Sequence, residues 1–276
     1  MDHAKNQSKA HVIAVSSRKG GVGKTTIAVN MAIALERMGY KILLVDADTT
    51  NPSATIYLGM TYTNKGLHQL LSRDSLLSDN VTVHKQSGLH VLAGSLSRNP
   101  APFTQEAERT LLDKIFRSDY DLAIIDTGPG YTAPPAFRVS DGSFELLFVT
   151  TPFETSLASI IRSADAADSL NIKHRLVVNR VNGKDYQLNE KEIMHVYGGE
   201  LIGMIPEDEV VPRSVAENTP AVILSGRCRF SRSLILMCRK YVSGTGSPQA
   251  AGNRSGAPQG ILGALFSVFR RFRRRN

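Results

Sequence analysis

Between Arg18 and Thr26 the chain reads RKGGVGKTT, and no other stretch limits the possible folds so narrowly. An apolar run, HVIAVSS (His11–Ser17), precedes it, and a helix-like pattern, TIAVNMAIALERMGY (Thr26–Tyr40), follows. Strand, glycine-rich turn and helix in that order describe a loop built around an anion. Gly20, Gly21 and Gly23 let the backbone turn its N–H groups inward, and those amides together with the helix N-terminus form a pocket for phosphate oxygens. Lys24 is placed to reach the terminal phosphates of a nucleoside triphosphate, and the Thr25 hydroxyl to bind Mg²⁺. Val22 and Thr26 complete the loop.

The strict pattern G-x-x-x-x-G-K-[ST] would need glycine where Arg18 stands, and a second lysine, Lys19, comes next. The run K-G-G-V-G-K-T-T resembles the deviant phosphate loop of the MinD/ParA/Mrp family. The resemblance implies ATP as the nucleotide and a homodimer that closes around it, with Lys19 reaching across to the partner's nucleotide. It covers roughly His11 to Val242. The fold it implies is a doubly wound, mostly parallel sheet flanked by helices, in agreement with the alternation of strand and helix patterns.

Further motifs follow in the family's order. KILLVDADTTNPS (Lys41–Ser53) reads as a buried parallel strand opening into a loop, which places Asp46 and Asp48 near the phosphates. The family's D-x-D run opens its first switch, and the resemblance gives Asp48 the role of orienting the attacking water. Asp46, at the strand end, is assigned to the metal shell with Thr25, and Asn51 falls in the same switch. YDLAIIDTGPGYT (Tyr120–Thr132) has the form of a Walker B strand whose Asp126 holds Mg²⁺. Where the family more often shows D-T-P-x-G, this chain has Asp126-Thr127-Gly128-Pro129-Gly130, shifted by one place. Asn179 and Arg180, closing the strand RLVVNRV (Arg175–Val181), resemble the family's base-recognition position, and an Asn amide offers both a donor and an acceptor to an adenine edge. ELIGMIPEDEVVPRSVAENTPAVIL (Glu200–Leu224) resembles the element that flanks the base, so Pro206, Glu207 and Asp208 are expected to wall it. A helix over Ser231–Val242 closes the ATPase domain.

Composition matters mainly for the C-terminus. The 276 residues carry a net charge of +8, but Arg270, Arg271, Arg273, Arg274 and Arg275 supply five of those charges, and setting them aside leaves +3. Residues 243–260 are rich in Gly, Ser, Pro, Gln and Ala and read as a flexible linker. Residues 261–276 then form an amphipathic pattern. Ile261, Leu262, Leu265, Phe266, Val268, Phe269 and Phe272 share one helical face, and Arg270 and Arg271 lie opposite. Such a helix is too short to span a bilayer and suits an anionic membrane surface. The seven apolar residues on one face argue against a nucleic-acid tail.

The expected function is therefore that of a MinD-like ATPase in the cytoplasm, peripheral on the inner face of the cell membrane while its ATP-bound dimer lasts. Hydrolysis, slow until a protein activator or cargo stimulates it, would release it. Spatial regulation of cell division, or positioning of another apparatus, is the implied role. The alternative is a ParA-like DNA-partition ATPase. An Mrp-like iron–sulfur carrier is disfavoured because Cys228 and Cys238 form no C-x-x-C. His68, His84 and His90 have no metal-ligand spacing.

Overall fold

A computed structural model describes residues 10–61, 65–72, 75–97, 103–128, 130–131 and 144–244. The predicted linker beyond Gly244, the membrane-binding helix and Pro129 lie outside these residues. In chain order the elements are β1 (His11–Ser16), α1 (Lys24–Glu36), β2 (Ile42–Asp46), α2 (Ser53–Tyr57), α3 (Leu67–Ser72), α4 (Leu77–Asn80), β3 (Thr82–Val83), β4 (His90–Leu92) and α5 (Gln105–Phe116). Then come β5 (Leu122–Asp126), β6 (Phe144–Thr150), α6 (Glu154–Ser169), β7 (Lys173–Val181), α7 (Glu190–Tyr197), β8 (Glu200–Pro206), α8 (Val210–Ala216), α9 (Ala221–Leu224) and α10 (Arg229–Gly244).

The strands form one sheet in the order β3-β4-β2-β5-β1-β6-β7-β8. Every pairing is parallel except β3 with β4. Strands β2, β5 and β6 are buried along their whole length, as expected when helices cover both faces of a parallel sheet. The predicted doubly wound architecture is what the chain adopts. Apolar side chains on one face of the sheet pack against α3, α5, α6 and α7, and those on the other against α1, α2, α9 and α10. The chain crosses from one side of β1 to the other between β5 and β6, which puts the loop after β1 at the crevice where such sheets bind ligands.

Helix α1 lies in the middle of its layer, with nine consecutive residues, Ile27–Leu35, buried. Its apolar residues therefore surround it rather than forming a stripe. It stops four residues short of the predicted Tyr40 because Gly39 takes a left-handed conformation (φ 95°), and the Tyr40 amide then turns back to the Leu35 carbonyl at 3.3 Å. Helix α10 extends beyond its predicted Ser231–Val242 at both ends. Ser243 and Gly244, assigned from sequence to the linker, are helical, and the Ser243 hydroxyl donates to the Arg239 carbonyl at 2.9 Å.

The opposite end of the sheet is fastened by charge. Glu145, fully buried at the start of β6, accepts two hydrogen bonds from Arg175 Nη1 of β7 (2.9 and 3.0 Å) and one from the Tyr241 hydroxyl of α10 (2.6 Å). Arg175 also donates to Glu200 of β8 at 2.8 Å, and its guanidinium lies 4.8 Å from the centre of the Tyr241 ring. Burial pushes the Glu145 carboxyl up, but its hydrogen-bonding and charged neighbours outweigh that and hold it below the ordinary glutamate range.

Candidate functional site

The turn after β1 is built on two left-handed glycines, Gly21 (φ 77°) and Gly23 (φ 96°). At Gly23 the requirement is double. A Cβ there would stand 2.2 Å from Asn179 Nδ2, which donates to the Val22 carbonyl at 2.8 Å. The close approach that excludes a side chain thus ties the phosphate loop to the end of β7. From Gly23 the chain enters α1 directly, so the first helical amides open toward the loop.

Lys24 Nζ lies 2.7 Å from Asp126 Oδ1 and also donates to the Thr127 carbonyl. Asp126 is fully buried. Burial raises its pKa, against the lowering influence of the Lys24 charge and of hydrogen bonds from Lys24 and Thr25. Across the β2–β5 pairing Asp126 is the register partner of Asp46. Asp46 Oδ2 accepts from the Thr55 amide (2.8 Å) and the Thr55 hydroxyl (2.7 Å), which itself accepts from the Gly94 amide at 2.8 Å. Asp46 Oδ1 and Asp126 Oδ2 are left buried without a hydrogen-bond partner. Two unsatisfied carboxylate oxygens and the nearby Thr25 hydroxyl form a hard, all-oxygen donor set that fits Mg²⁺. No group of three or more His, Cys, Asp or Glu converges among the described residues, so phosphate oxygens and water would complete an ion's shell here.

Burial, and next the charge on Asp126, push the Asp46 carboxyl up from 3.8 to about 7. Its folded-state pKa exceeds the unfolded one, so the stability it allows is complete at low pH and is lost as pH rises from about 4 to about 7. For protein free of nucleotide and metal, urea denaturation should therefore show a stability decline on the order of 2–4 kcal/mol between pH 5 and pH 8 from this group. Asp46→Asn should flatten that slope. A slope unchanged in the variant would show that Asp46 ionises normally.

Asp48, expected from the sequence to open a first switch, is buried. Its Oδ1 accepts from the Thr50 amide (3.2 Å), the Thr50 hydroxyl (2.7 Å) and the Asn51 amide (3.0 Å), folding the segment back on itself. Asp48 and Asn51 line a cavity of about 380 Å³ together with Gly20, Gly21, Gly23, Lys24, Thr25 and Thr26. The predicted phosphate-loop and switch residues thus meet in one place. Lys19 does not join them. Its Nζ donates to the Thr155 hydroxyl of α6 at 3.2 Å, and it lines a neighbouring cavity of about 370 Å³ with Val22, Phe153 and Gln187.

A third cavity, of about 460 Å³, lies beyond Gly23 and Thr26 and contains all five predicted base-site residues: Asn179, Arg180, Pro206, Glu207 and Asp208. Arg180 adopts a left-handed conformation (φ 60°), which turns the chain at the end of the β7 strand. The Asp208 carboxylate braces the wall, accepting from the Val210 amide (2.9 Å) and the Phe230 amide (3.1 Å). The apolar part of the wall, Val211, Pro212, Val215 and Phe230, was missed by sequence reasoning. The pattern V-V-P-x-x-V in α8 was the only available signal, and it reads equally well as core packing.

Sequence reasoning also missed Tyr57. Its hydroxyl lies 2.7 Å from Ser214 Oγ and accepts from Asn30 Nδ2 (3.2 Å) and the Ala221 amide (3.1 Å). Asn30 in turn accepts from the Val222 amide at 2.9 Å and donates to the Thr26 carbonyl at 2.8 Å. One buried hydroxyl therefore joins the helix after the first switch to α1, α8 and α9. Past Asp126 the described residues Gly130 and Tyr131 contact the end of β1 and the residue after it. The Gly130 amide donates to the Ser17 carbonyl at 3.2 Å, and the Ser16 hydroxyl donates to the Tyr131 carbonyl. Gly130 is left-handed (φ 79°), a conformation that glycine adopts without strain.

Residues 13–221 match the CobQ/CobB/MinD/ParA nucleotide binding domain. An uncharacterized ATP-binding protein of Methanocaldococcus jannaschii is 32% identical over 217 residues, which cover 77% of this chain and 80% of that protein. The septum site-determining protein MinD of a Synechocystis species is 28% identical over 224 residues, covering 77% of this chain and 82% of the relative. The fold is shared with the MinD protein of Pyrococcus horikoshii, solved in complex with Mg-ADP. The TM-score is 0.73 at 24% identity, over 86% of this chain and 98% of that one. Carrying that nucleotide binding domain over residues 13–221, the chain belongs to the MinD/ParA family of nucleotide-binding ATPases.

Proposed function

We propose that this protein is an ATP-hydrolysing switch that dimerises around Mg²⁺ and ATP and, as a dimer, attaches reversibly to an anionic membrane surface through residues 261–276. The observation that carries the dimer is the separation of the two loop lysines. Lys24 turns into the phosphate cavity of its own chain, while Lys19 turns away from it along α6. A lysine so placed serves a nucleotide held by a second copy.

Within one site the loop amides and Lys24 bind and neutralise the phosphates, and Lys19 of the second copy adds charge where it develops in the transition state. Asp46, Asp126 and Thr25 would hold Mg²⁺, which supplies further charge neutralisation. Asp48 orients the attacking water. Its Oδ1 accepts from Thr50 and Asn51, which hold the carboxylate in place. The adenine lies against Asn179, Arg180, Pro206 and Glu207. Hydrolysis separates the dimer and halves the number of lipid contacts, which lowers avidity on the order of 10²–10⁴-fold. Among the described residues no helix is long and apolar enough to cross a membrane. The septum-determining relatives favour spatial control of cell division, through a protein partner, as the purpose of the cycle.

Vesicle co-sedimentation tests the scheme. The full chain should pellet with phosphatidylglycerol-containing vesicles at least tenfold more tightly with ATP than with ADP. Phe266→Glu with Phe269→Glu should abolish pelleting, and Lys19→Ala with ATP should behave as the unaltered chain does with ADP. Equal pelleting in both nucleotides would remove the switch, and full binding by the tail variant would remove the anchor.

A further inference from the structure

The solvent face of α10 presents Arg229, Arg232, Leu236, Arg239 and Lys240. At ~100° per residue these positions fall within about 100° of the helix circumference, opposite the buried Phe230, Leu234, Met237, Cys238 and Tyr241. The helix contains no acidic residue, and none of its four cationic side chains takes part in an ion pair among the described residues. This one helix carries more positive charge than the +3 left to the chain once the five tail arginines are set aside.

Arg239 and Lys240 precede the last turn of α10. Arg229 and Arg232 occupy its first turn, where the Asp208 carboxylate accepts from the Phe230 amide. All four cations lie on the face turned away from the core. In the centre of the stripe Leu236 is 63% exposed, an apolar side chain ringed by positive charge.

We propose that this face of α10 is a second lipid-contacting surface, on the folded domain itself, that lies on the anionic headgroups while Leu236 enters the boundary layer. Three observations favour this occupant. The charge complements an anionic leaflet, at about fivefold in affinity for each basic side chain near the surface. A cation-flanked leucine suits the headgroup–acyl boundary better than it suits a phosphodiester backbone. And α10 runs unbroken to Gly244, from which the chain continues to the proposed anchor at 261–276. The anchor cannot itself be the occupant, because its five arginines repel a basic face. The surface would fix how the domain stands on the bilayer, which a linker of Gly, Ser and Pro cannot do.

The proposal rests on the membrane reading given above, and the test separates the two. Full-length protein carrying Arg229→Gln, Arg232→Gln, Arg239→Gln and Lys240→Gln is compared with the unaltered chain and with the Phe266→Glu/Phe269→Glu variant, all with Mg²⁺ and ATP. Vesicles contain phosphatidylglycerol or phosphatidylcholine alone, and duplex DNA is a third probe. The α10 variant should lose at least tenfold in affinity for phosphatidylglycerol vesicles, with no change on phosphatidylcholine and unaltered ATP hydrolysis. Its thermal midpoint should change little, since none of the four side chains takes part in an ion pair among the described residues. Unchanged affinity for phosphatidylglycerol vesicles would overturn the proposal, and if DNA binding were lost instead, the face would belong to nucleic acid. If the tail variant binds normally while the α10 variant does not, the anchor fails and this surface stands.

Discussion

Gly23→Ala should reduce ATP affinity on the order of 10²-fold, or ~3 kcal/mol, while leaving the sheet intact. Two costs combine. A left-handed backbone at alanine costs about 1–2 kcal/mol, and the new methyl group would lie 2.2 Å from Asn179 Nδ2. Asn179 must then move, giving up its hydrogen bond to Val22 and leaving a buried carbonyl unpaired, for about 1–3 kcal/mol more. The same displacement disturbs the base pocket, so the loss falls on binding as well as on stability. Titration with a fluorescent ATP analogue measures the affinity, and a double-mutant cycle assigns the cause. In an Asn179→Ala background the steric part disappears, and Gly23→Ala should cost clearly less than in the unaltered chain. Strictly additive losses would mean that the contact with Asn179 is irrelevant.

Arg175→Ala should give the largest loss of stability, about 3–5 kcal/mol, with nucleotide affinity changed less than twofold. The substitution takes away the cation nearest the buried Glu145, leaving only the more distant Lys173 Nζ (3.7 Å) and His11 Nε2 (3.8 Å) beside its carboxylate, and removes the hydrogen bond to Glu200 and the packing on Tyr241. At roughly 2–4 °C per kcal/mol for a domain of this size, the thermal midpoint should drop by about 10 °C. Pairing Arg175→Met with Glu145→Leu should restore much of it, because an apolar pair of similar volume avoids the desolvation penalty. The cluster binds the starts of β6, β7 and β8 to α10, at the end of the sheet away from the phosphate loop. A double substitution as damaging as Arg175→Ala alone would show that packing, rather than unpaired charge, sets the cost.

The parts of this molecule that were legible in sequence are those that one short segment encodes. The phosphate loop needs its glycines and lysines within nine residues, and Asp46, Asp48 and Asp126 announce themselves by ending apolar runs. Asn179, Arg180 and the Pro206–Asp208 turn were recognisable by resemblance, and the chain brings them to one cavity. What stayed hidden depends on contacts between distant segments. Tyr57 reads as one more aromatic residue in a short helix, because Asn30, Ser214 and Ala221 meet it only after folding. Glu145 and Arg175 interrupt otherwise apolar strands, and nothing local reveals that they neutralise each other. The basic stripe of α10 was obscured by the arginine-rich tail, which accounted for most of the net charge. The end of α10 was misjudged because Ser and Gly normally signal a linker, and here they finish a turn already held by the preceding residues.

The full enclosure of α1 has a mechanical consequence. A rod hemmed in on every side by close-packed neighbours can neither roll nor slide without opening the interior. The cradle for the phosphates is bolted to that rod, so it serves as the fixed jaw of the machine. In the cycle proposed above, movement would then fall to the short arc between Asp48 and Asn51, which the Asp48 carboxylate folds back on itself.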